Sequence, residues 1–189
     1  MKQEKLLEKL KNISREIMEK GKNFHDFAHV MNVYRNVEKL LEHEKGNRLV
    51  LLSAALFHDI ERDVIDHDEV GAKRAEEILL TVPDFPEDLI DSVVDIIDSH
   101  SKSKGLKTAE QILFYDADKM DAFSELGIIR SFMMYAQEGK STQEACLDYL
   151  ELVDFFYNRL QTDLAKKLVE EKYKKARQFA LNLVEEYNY

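Results

Sequence analysis

The sequence predicts an all-α protein of about eight or nine helices. Apolar residues recur at three- and four-residue spacing through nearly the whole chain, no stretch sustains strand alternation, and only two prolines and six glycines interrupt 189 residues. A hydrophobic content of 44% suffices for a sizeable core, and no repeat, low-complexity tract or composition shift divides the chain, so one domain over 1–189 is expected.

Each helix has its own signal. From Glu4 to Lys20, Leu6, Leu7, Leu10, Ile13, Ile17 and Met18 share one face, and Gly21 stands where a C-terminal glycine cap belongs. A second helix runs from about His25 to Lys45, burying Val30, Val33, Tyr34, Val37, Leu40 and Leu41, with Gly46 as its stop. Asn47 caps a third, Arg48 to about Ile60, which is apolar nearly all round and therefore central. Glu69 to Thr81 is a fourth, ended by Pro83, and Pro86 opens a fifth that finishes at His100. The polar stretch Ser101 to Lys107 is a loop. Thr108 with Gln111 forms a capping box that opens the helix holding Asp116, Asp118 and Asp121, and Ser141 with Glu144 repeats the pattern before the C-terminal helices.

Composition removes several classes of function. A formal net charge of −10 repels polyanions, so a sequence-independent grip on DNA or RNA is not expected, whereas small phosphorylated ligands are compatible with it. The one cysteine, Cys146, allows no internal disulfide and no thiolate cluster, and reads as a small buried hydrophobe. No apolar run approaches the ~20 residues of a membrane span and the N-terminus lacks the apolar core of a signal peptide, so a cytoplasmic, membrane-free protein is expected. No heptad seam argues for an oligomer.

The chemistry gathers at Ala54-Ala55-Leu56-Phe57-His58-Asp59-Ile60. An imidazole and a carboxylate at the end of an apolar run lose their hydration and need a partner, for which a divalent cation suits both. His29 near the start of the second helix, His67 in the turn after the third, His100 at the end of the fifth and Asp118 in the sixth are the candidate co-ligands. Most lie at helix ends or turns, where side chains can converge at one end of a bundle. A histidine and carboxylate set without cysteine favours Mn, Fe, Co, Ni or Zn over Mg.

The order His29, His58-Asp59, Asp118, with the local wording His25-Asp26-Phe27-Ala28-His29, Phe57-His58-Asp59-Ile60, Asp66-His67 ahead of Gly71-Ala72, and Asp116-Ala117-Asp118-Lys119-Met120-Asp121-Ala122 followed by Gly127-Ile128-Ile129-Arg130, resembles the signature of the HD superfamily of metal-dependent phosphohydrolases, in its stand-alone bacterial and archaeal branch. The resemblance spans about 25–130, with helices over about 141–189 packed on that core, and implies an HD-domain helical bundle. It implies His29, His58, Asp59 and Asp118 as ligands of one metal, and His67 and His100 as ligands of a second ion with Asp59 bridging. It further implies hydrolysis of a small phosphorylated substrate, in first place a nucleotide, by water that the metal makes acidic. Mono- or pyrophosphohydrolysis is preferred to cyclic-dinucleotide cleavage because Arg62 replaces the lysine expected for the latter.

Around that centre the site candidates are Asp59, Arg62, Glu61 and Arg130. Arg62, three residues after Asp59, stands where the superfamily carries lysine in cyclic dinucleotide phosphodiesterases and glutamate in nucleotidases. A guanidinium grips phosphate and cannot act as a base, so Arg62 and Arg130 are assigned to the phosphate, with Lys119 as a further cation. Glu61 and Asp63 resemble the acidic pair of the alarmone hydrolases at a shifted offset. Two alternatives accompany this reading: a metal- or nucleotide-binding regulator without turnover, and a di-iron oxygenase of the same superfamily. The plainer readings are kept for His43 in its charged surface run, for His25 as a structural neighbour of His29, for Asp26 as a helix cap, for Lys102, Lys104 and Lys107 as a solvated face, and for Tyr149, Phe155, Phe156 and Tyr157 as core.

Overall fold

A computed structural model describes residues 2–20, 24 and 26–187, in which nine α-helices and two short 3-10 turns account for the regular structure and no strand occurs. Gly21 and His25 lie outside the described residues. The chain forms two compact units, Met1–Asp118 and Lys119–Tyr189.

The first unit contains α1 (Lys2–Met18), α2 (Phe27–Leu41), α3 (Arg48–Phe57), α4 (His67–Leu80), a 3-10 turn at Glu87–Leu89, α5 (Ile90–Ser99) and α6 (Ala109–Lys119), whose last residue crosses into the second. As its all-round apolarity predicts, α3 is the centre. Every residue from Leu49 to Phe57 is buried, and α1, α2, α4 and α5 pack against it. Asn47 caps it, accepting from the backbone N–H groups of Leu49 and Val50. From α1, Ser14 Oγ donates to the Leu56 carbonyl at 2.5 Å, which satisfies a hydroxyl that has no exposure to water.

The third helix stops three residues earlier than its sequence pattern suggests. Beyond Phe57 the chain winds through hydrogen bonds from Ile60 N to Phe57 O, Arg62 N to Asp59 O and Val64 N to Glu61 O, each spanning three residues. Such tight winding eclipses residues three apart, so Asp59 and Arg62 share a side through 3-10-like turns instead of α-helix. Asp66 then adopts a left-handed conformation (φ 58°, ψ 38°), one of the few non-glycine residues able to do so, and reverses the chain so that His67 becomes the first residue of α4 and no longer part of the turn.

The second unit holds a 3-10 turn at Met120–Phe123, α7 (Glu125–Gln137), α8 (Thr142–Arg159) and α9 (Asp163–Glu186). Asp121 thus lies in the 3-10 turn after α6 and not in that helix. The capping box at Ser141 and Glu144 forms, and Thr162 caps α9. Tyr149 and Cys146 are buried, Tyr157 stacks on Tyr173 at 3.8 Å between ring centroids, and Phe155 is exposed with the Arg159 guanidinium over its ring.

Candidate metal centre

Six titratable side chains from five places in the first unit come together. His29 enters from the first turn of α2, where Asp26 acts as the cap: its Oδ1 accepts from Ala28 N at 2.9 Å and from His29 N at 3.1 Å. His58 and Asp59 follow the last residue of α3, His67 opens α4, His100 closes α5 and Asp118 lies in the last turn of α6. His29, His58, Asp59, His100 and Asp118 are all buried.

The atoms meet in two groups. His29 Nε2 and His58 Nε2 are 3.1 Å apart, and Asp59 Oδ2 is 3.3 Å from the first and 3.4 Å from the second. Asp118 Oδ1 completes this group at 3.5 Å from His29 Nε2 and 3.8 Å from His58 Nε2. The other oxygen of Asp59, Oδ1, faces His100 Nε2 at 3.5 Å, and one donor atom each of Asp59, His67 and His100 lie within 4.8 Å of one another. Asp59 therefore turns one oxygen to each group.

Neighbouring contacts aim the rings. His58 Nδ1 lies 3.1 Å from the Ala55 carbonyl and His100 Nδ1 2.6 Å from the Ile97 carbonyl. A carbonyl only accepts, so each Nδ1 carries the proton and each Nε2 presents its lone pair to the centre. Phe114 of α6 packs edge-on against the His58 ring at 5.5 Å between centroids and limits its tilt. Burial pushes His58 down to about 4 against the opposing pull of Asp59 and Asp118, so the ring is neutral near pH 7. His67 is also held below its ordinary value, first by burial and then by the Arg62 charge.

This donor set fits a divalent ion. Bonds of about 2.0–2.1 Å to imidazole nitrogen place adjacent donors about 2.9–3.4 Å apart in octahedral to tetrahedral arrangements. The spacings among His29, His58 and Asp59 fall at 3.1–3.4 Å. His58 Nε2 brings a lone pair to a buried place where carboxylate oxygens of Asp59 and Asp118 also converge, a set that a divalent cation would satisfy.

The remaining candidates divide. Arg62, with about 29% of its side chain exposed, points Nη1 at His67 Nε2 at 2.5 Å and lies 3.9 Å from Asp59 Oδ1. Glu61 is half-buried in the same turn, and Asp63 is exposed. Lys102 is an exposed helix-end partner of Asp98, and Lys104 and Lys107 are exposed, as a solvated face requires. In the second unit, Arg130 is buried with its Nη2 donating to Asp121 Oδ2, and Lys119 Nζ lies 5.6 Å over the Phe156 ring. His43 is exposed.

Sequence reading missed Asp68. This buried first-turn residue of α4 places Oδ1 2.9 Å from His67 Nε2 and 3.4 Å from His100 Nδ1, and its Oδ2 accepts from Ser101 Oγ. An acid at the start of a helix ordinarily answers the helix dipole, and only the histidine directly before it hints at more.

Comparison with known proteins covers the stretch of chain that carries these residues. The family model described as HD domain matches residues 26–122. The sequence is 26% identical to the uncharacterized protein YpgQ of Bacillus subtilis over 97% of this chain and 94% of the relative. A crystal structure of B. subtilis YpgQ in complex with ADP superposes with a TM-score of 0.80 at 23% identity, covering 98% of this chain and 97% of that one. The crystal structure of an HD-superfamily hydrolase from Bacillus thuringiensis gives 0.76 at 28% identity, covering 100% and 99%.

Proposed function

The chain belongs to the HD domain family, and from that premise we propose that it is a metal-dependent phosphohydrolase acting on a small phosphorylated substrate, in first place a nucleotide that it cleaves as a mono- or pyrophosphate. The observation that carries the reading is the split carboxylate of Asp59, one oxygen 3.3 Å and 3.4 Å from the paired histidines and the other 3.5 Å from His100.

His29, His58, Asp59 and Asp118 would hold a divalent ion, with Mn, Fe, Co, Ni and Zn preferred to Mg by the nitrogen share of the set. When bound, such an ion supplies acidified water and polarises a phosphoryl oxygen. The chain's own residues do the rest. The Ala55 carbonyl and Phe114 keep His58 oriented, so ligand geometry need not be reorganised during turnover. Arg62 offers the phosphate a permanently charged donor at the edge of the centre, partly open to solvent. Arg130 is engaged with Asp121, so Arg62 is the guanidinium we assign first. Glu61, in the turn between Asp59 and Arg62, is the candidate carboxylate for taking up a proton.

Nucleotides are favoured because the relative YpgQ forms a complex with ADP, while the net charge of −10 disfavours polymeric nucleic acid. Among the described residues no helix is long and apolar enough to cross a membrane. The di-iron alternative needs both donor groups for iron, and Arg62 stands at the second.

The test is a chromatographic screen of nucleotides and phosphate esters incubated with the protein and Mn²⁺, with chelator in parallel. Metal-dependent cleavage of a nucleotide that His58→Ala abolishes is the expected result. A panel left intact by protein with bound metal would instead point to a regulator that binds without turnover.

A further inference from the structure

In the second donor group a cation is already present, and it belongs to the protein. The geometry points to a specific role for it: the Arg62 guanidinium holds the second-ion position and restricts the centre to one metal ion. This inference rests on the metal reading above.

The donors of that position are Asp59, His67 and His100, with one atom of each within 4.8 Å of the others. A chain with these residues alone would offer a second divalent ion two imidazoles and a shared carboxylate, an ordinary site for such metals. Arg62 changes that. Nη1 can only donate, so the hydrogen bond at His67 uses the one lone pair of Nε2 that a metal would need. The buried Oδ1 of Asp68, which accepts no hydrogen bond, lies 2.9 Å from the same nitrogen, so the place is negative as well as donor-rich.

Removal of the guanidinium by titration is not available, because arginine stays charged at any pH the protein survives. A dication arriving at His67 would have to displace Nη1 and then remain beside a fixed positive charge 3.9 Å from Asp59 Oδ1. The backbone favours the blocked arrangement. The tight turn from Asp59 to Arg62, closed by Arg62 N donating to Asp59 O at 3.3 Å, eclipses the two side chains and delivers the guanidinium to the centre. Arg62 therefore does the electrostatic work of a second ion at that carboxylate while leaving its outer N–H groups for a phosphate.

Metal stoichiometry tests this directly. Metal-free wild type, Arg62→Ala and Arg62→Gln are titrated with Mn²⁺ alone, and bound ions per chain are counted by calorimetry and elemental analysis after gel filtration. Wild type is expected to hold one ion with the six-line paramagnetic resonance of isolated Mn²⁺. Both variants are expected to hold two, with that signal attenuated by coupling through the shared carboxylate, and Arg62→Ala with His67→Ala is expected to return to one. Arg62→Gln keeps more of the side chain than alanine does and removes only the charge and the fork, so a folding defect confined to the alanine variant leaves the test intact. Two ions in wild type, or one in both folded variants, would overturn the inference. No ion in wild type, with no difference from Asp59→Ala, would overturn the underlying metal reading, and this inference with it.

Discussion

Nε2 of His29 and Nε2 of His58 face each other at 3.1 Å although the two residues come from different helices and both are buried. The proton of His58 is committed to the Ala55 carbonyl through Nδ1, so its Nε2 brings a lone pair to that contact, with carboxylate oxygens of Asp59 and Asp118 close by. A divalent cation among these atoms would stabilise the arrangement, which yields the first prediction. Mn²⁺ at about a hundred times its dissociation constant should stabilise the protein by about 2.7 kcal/mol. For a chain of this size that is a rise in Tm of about 5–10 °C. His58→Ala should lose the rise while retaining the chelator-treated Tm to within a few degrees. An equal rise in wild type and variant would refute the assignment.

A second prediction concerns acid. In the metal-free protein burial lowers His58 to about 4, against 6.5 for the unfolded chain. Between those values the unfolded state binds the extra proton, so stability increases with pH through the window and is lost as pH falls from about 6.5 to about 4. The full difference amounts to about 3 kcal/mol, and above pH 6.5 the group contributes no further slope. Urea midpoints in chelator at half-unit steps from pH 4.5 to 7.5 should show the slope in wild type and a shallower one in His58→Asn. Parallel curves would show that other groups control acid sensitivity.

Local chemistry made much of this structure legible. Asp26, Asn47, Thr108 with Gln111 and Ser141 with Glu144 cap the helices their sequence positions predict, because a cap is decided within four residues. The burial of α3 follows from its all-round apolarity. The convergence of His29, His58, Asp59 and Asp118 was readable only as an order of residue types, since their separation in sequence carries no distances. What escaped is what tertiary structure decides. No glycine or proline follows Phe57 to mark the end of α3, and the turn owes its left-handed residue to Asp66. Asp68 becomes part of the centre only when α4 and α5 bring it beside His100. The engagement of Arg130 with Asp121 depends on how the 3-10 turn meets α7, which helical periodicity does not encode.

A third prediction follows from that corner. A Cβ at Gly127 would lie 2.2 Å from the Asp121 carbonyl oxygen and 3.1 Å from two backbone atoms of Ala122. These are main-chain atoms of the turn that holds Asp121 against Arg130, so they cannot step aside as a flexible side chain would. Gly127→Ala should cost about 1–3 kcal/mol or more. Gly71→Ala is the control: its Cβ meets the His58 carbonyl at an ordinary 3.4 Å within α4, and alanine there should be neutral or stabilising by up to about 1 kcal/mol. Thermal unfolding of the two variants separates them, and equal Tm values would contradict the close approach.

The fourth prediction joins Arg62 to turnover. If Arg62 supplies the phosphate-facing charge, Arg62→Ala at one equivalent of Mn²⁺ should lower kcat/KM for the best nucleotide by about 10²-fold, the usual effect of removing one donor aimed at developing charge. Arg62→Lys should recover only part of this, because an ammonium keeps the charge and loses the planar fork. Excess Mn²⁺ should then separate the variants. In Arg62→Ala the emptied position beside Asp59, His67 and His100 becomes available to a second ion, and part of the lost rate should return with a dependence on metal concentration that wild type lacks. An alanine variant as fast as wild type at one equivalent would mean that the guanidinium never meets the phosphate. A slow variant that excess metal cannot rescue would confine its role to the phosphate and separate it from occupancy of the second position.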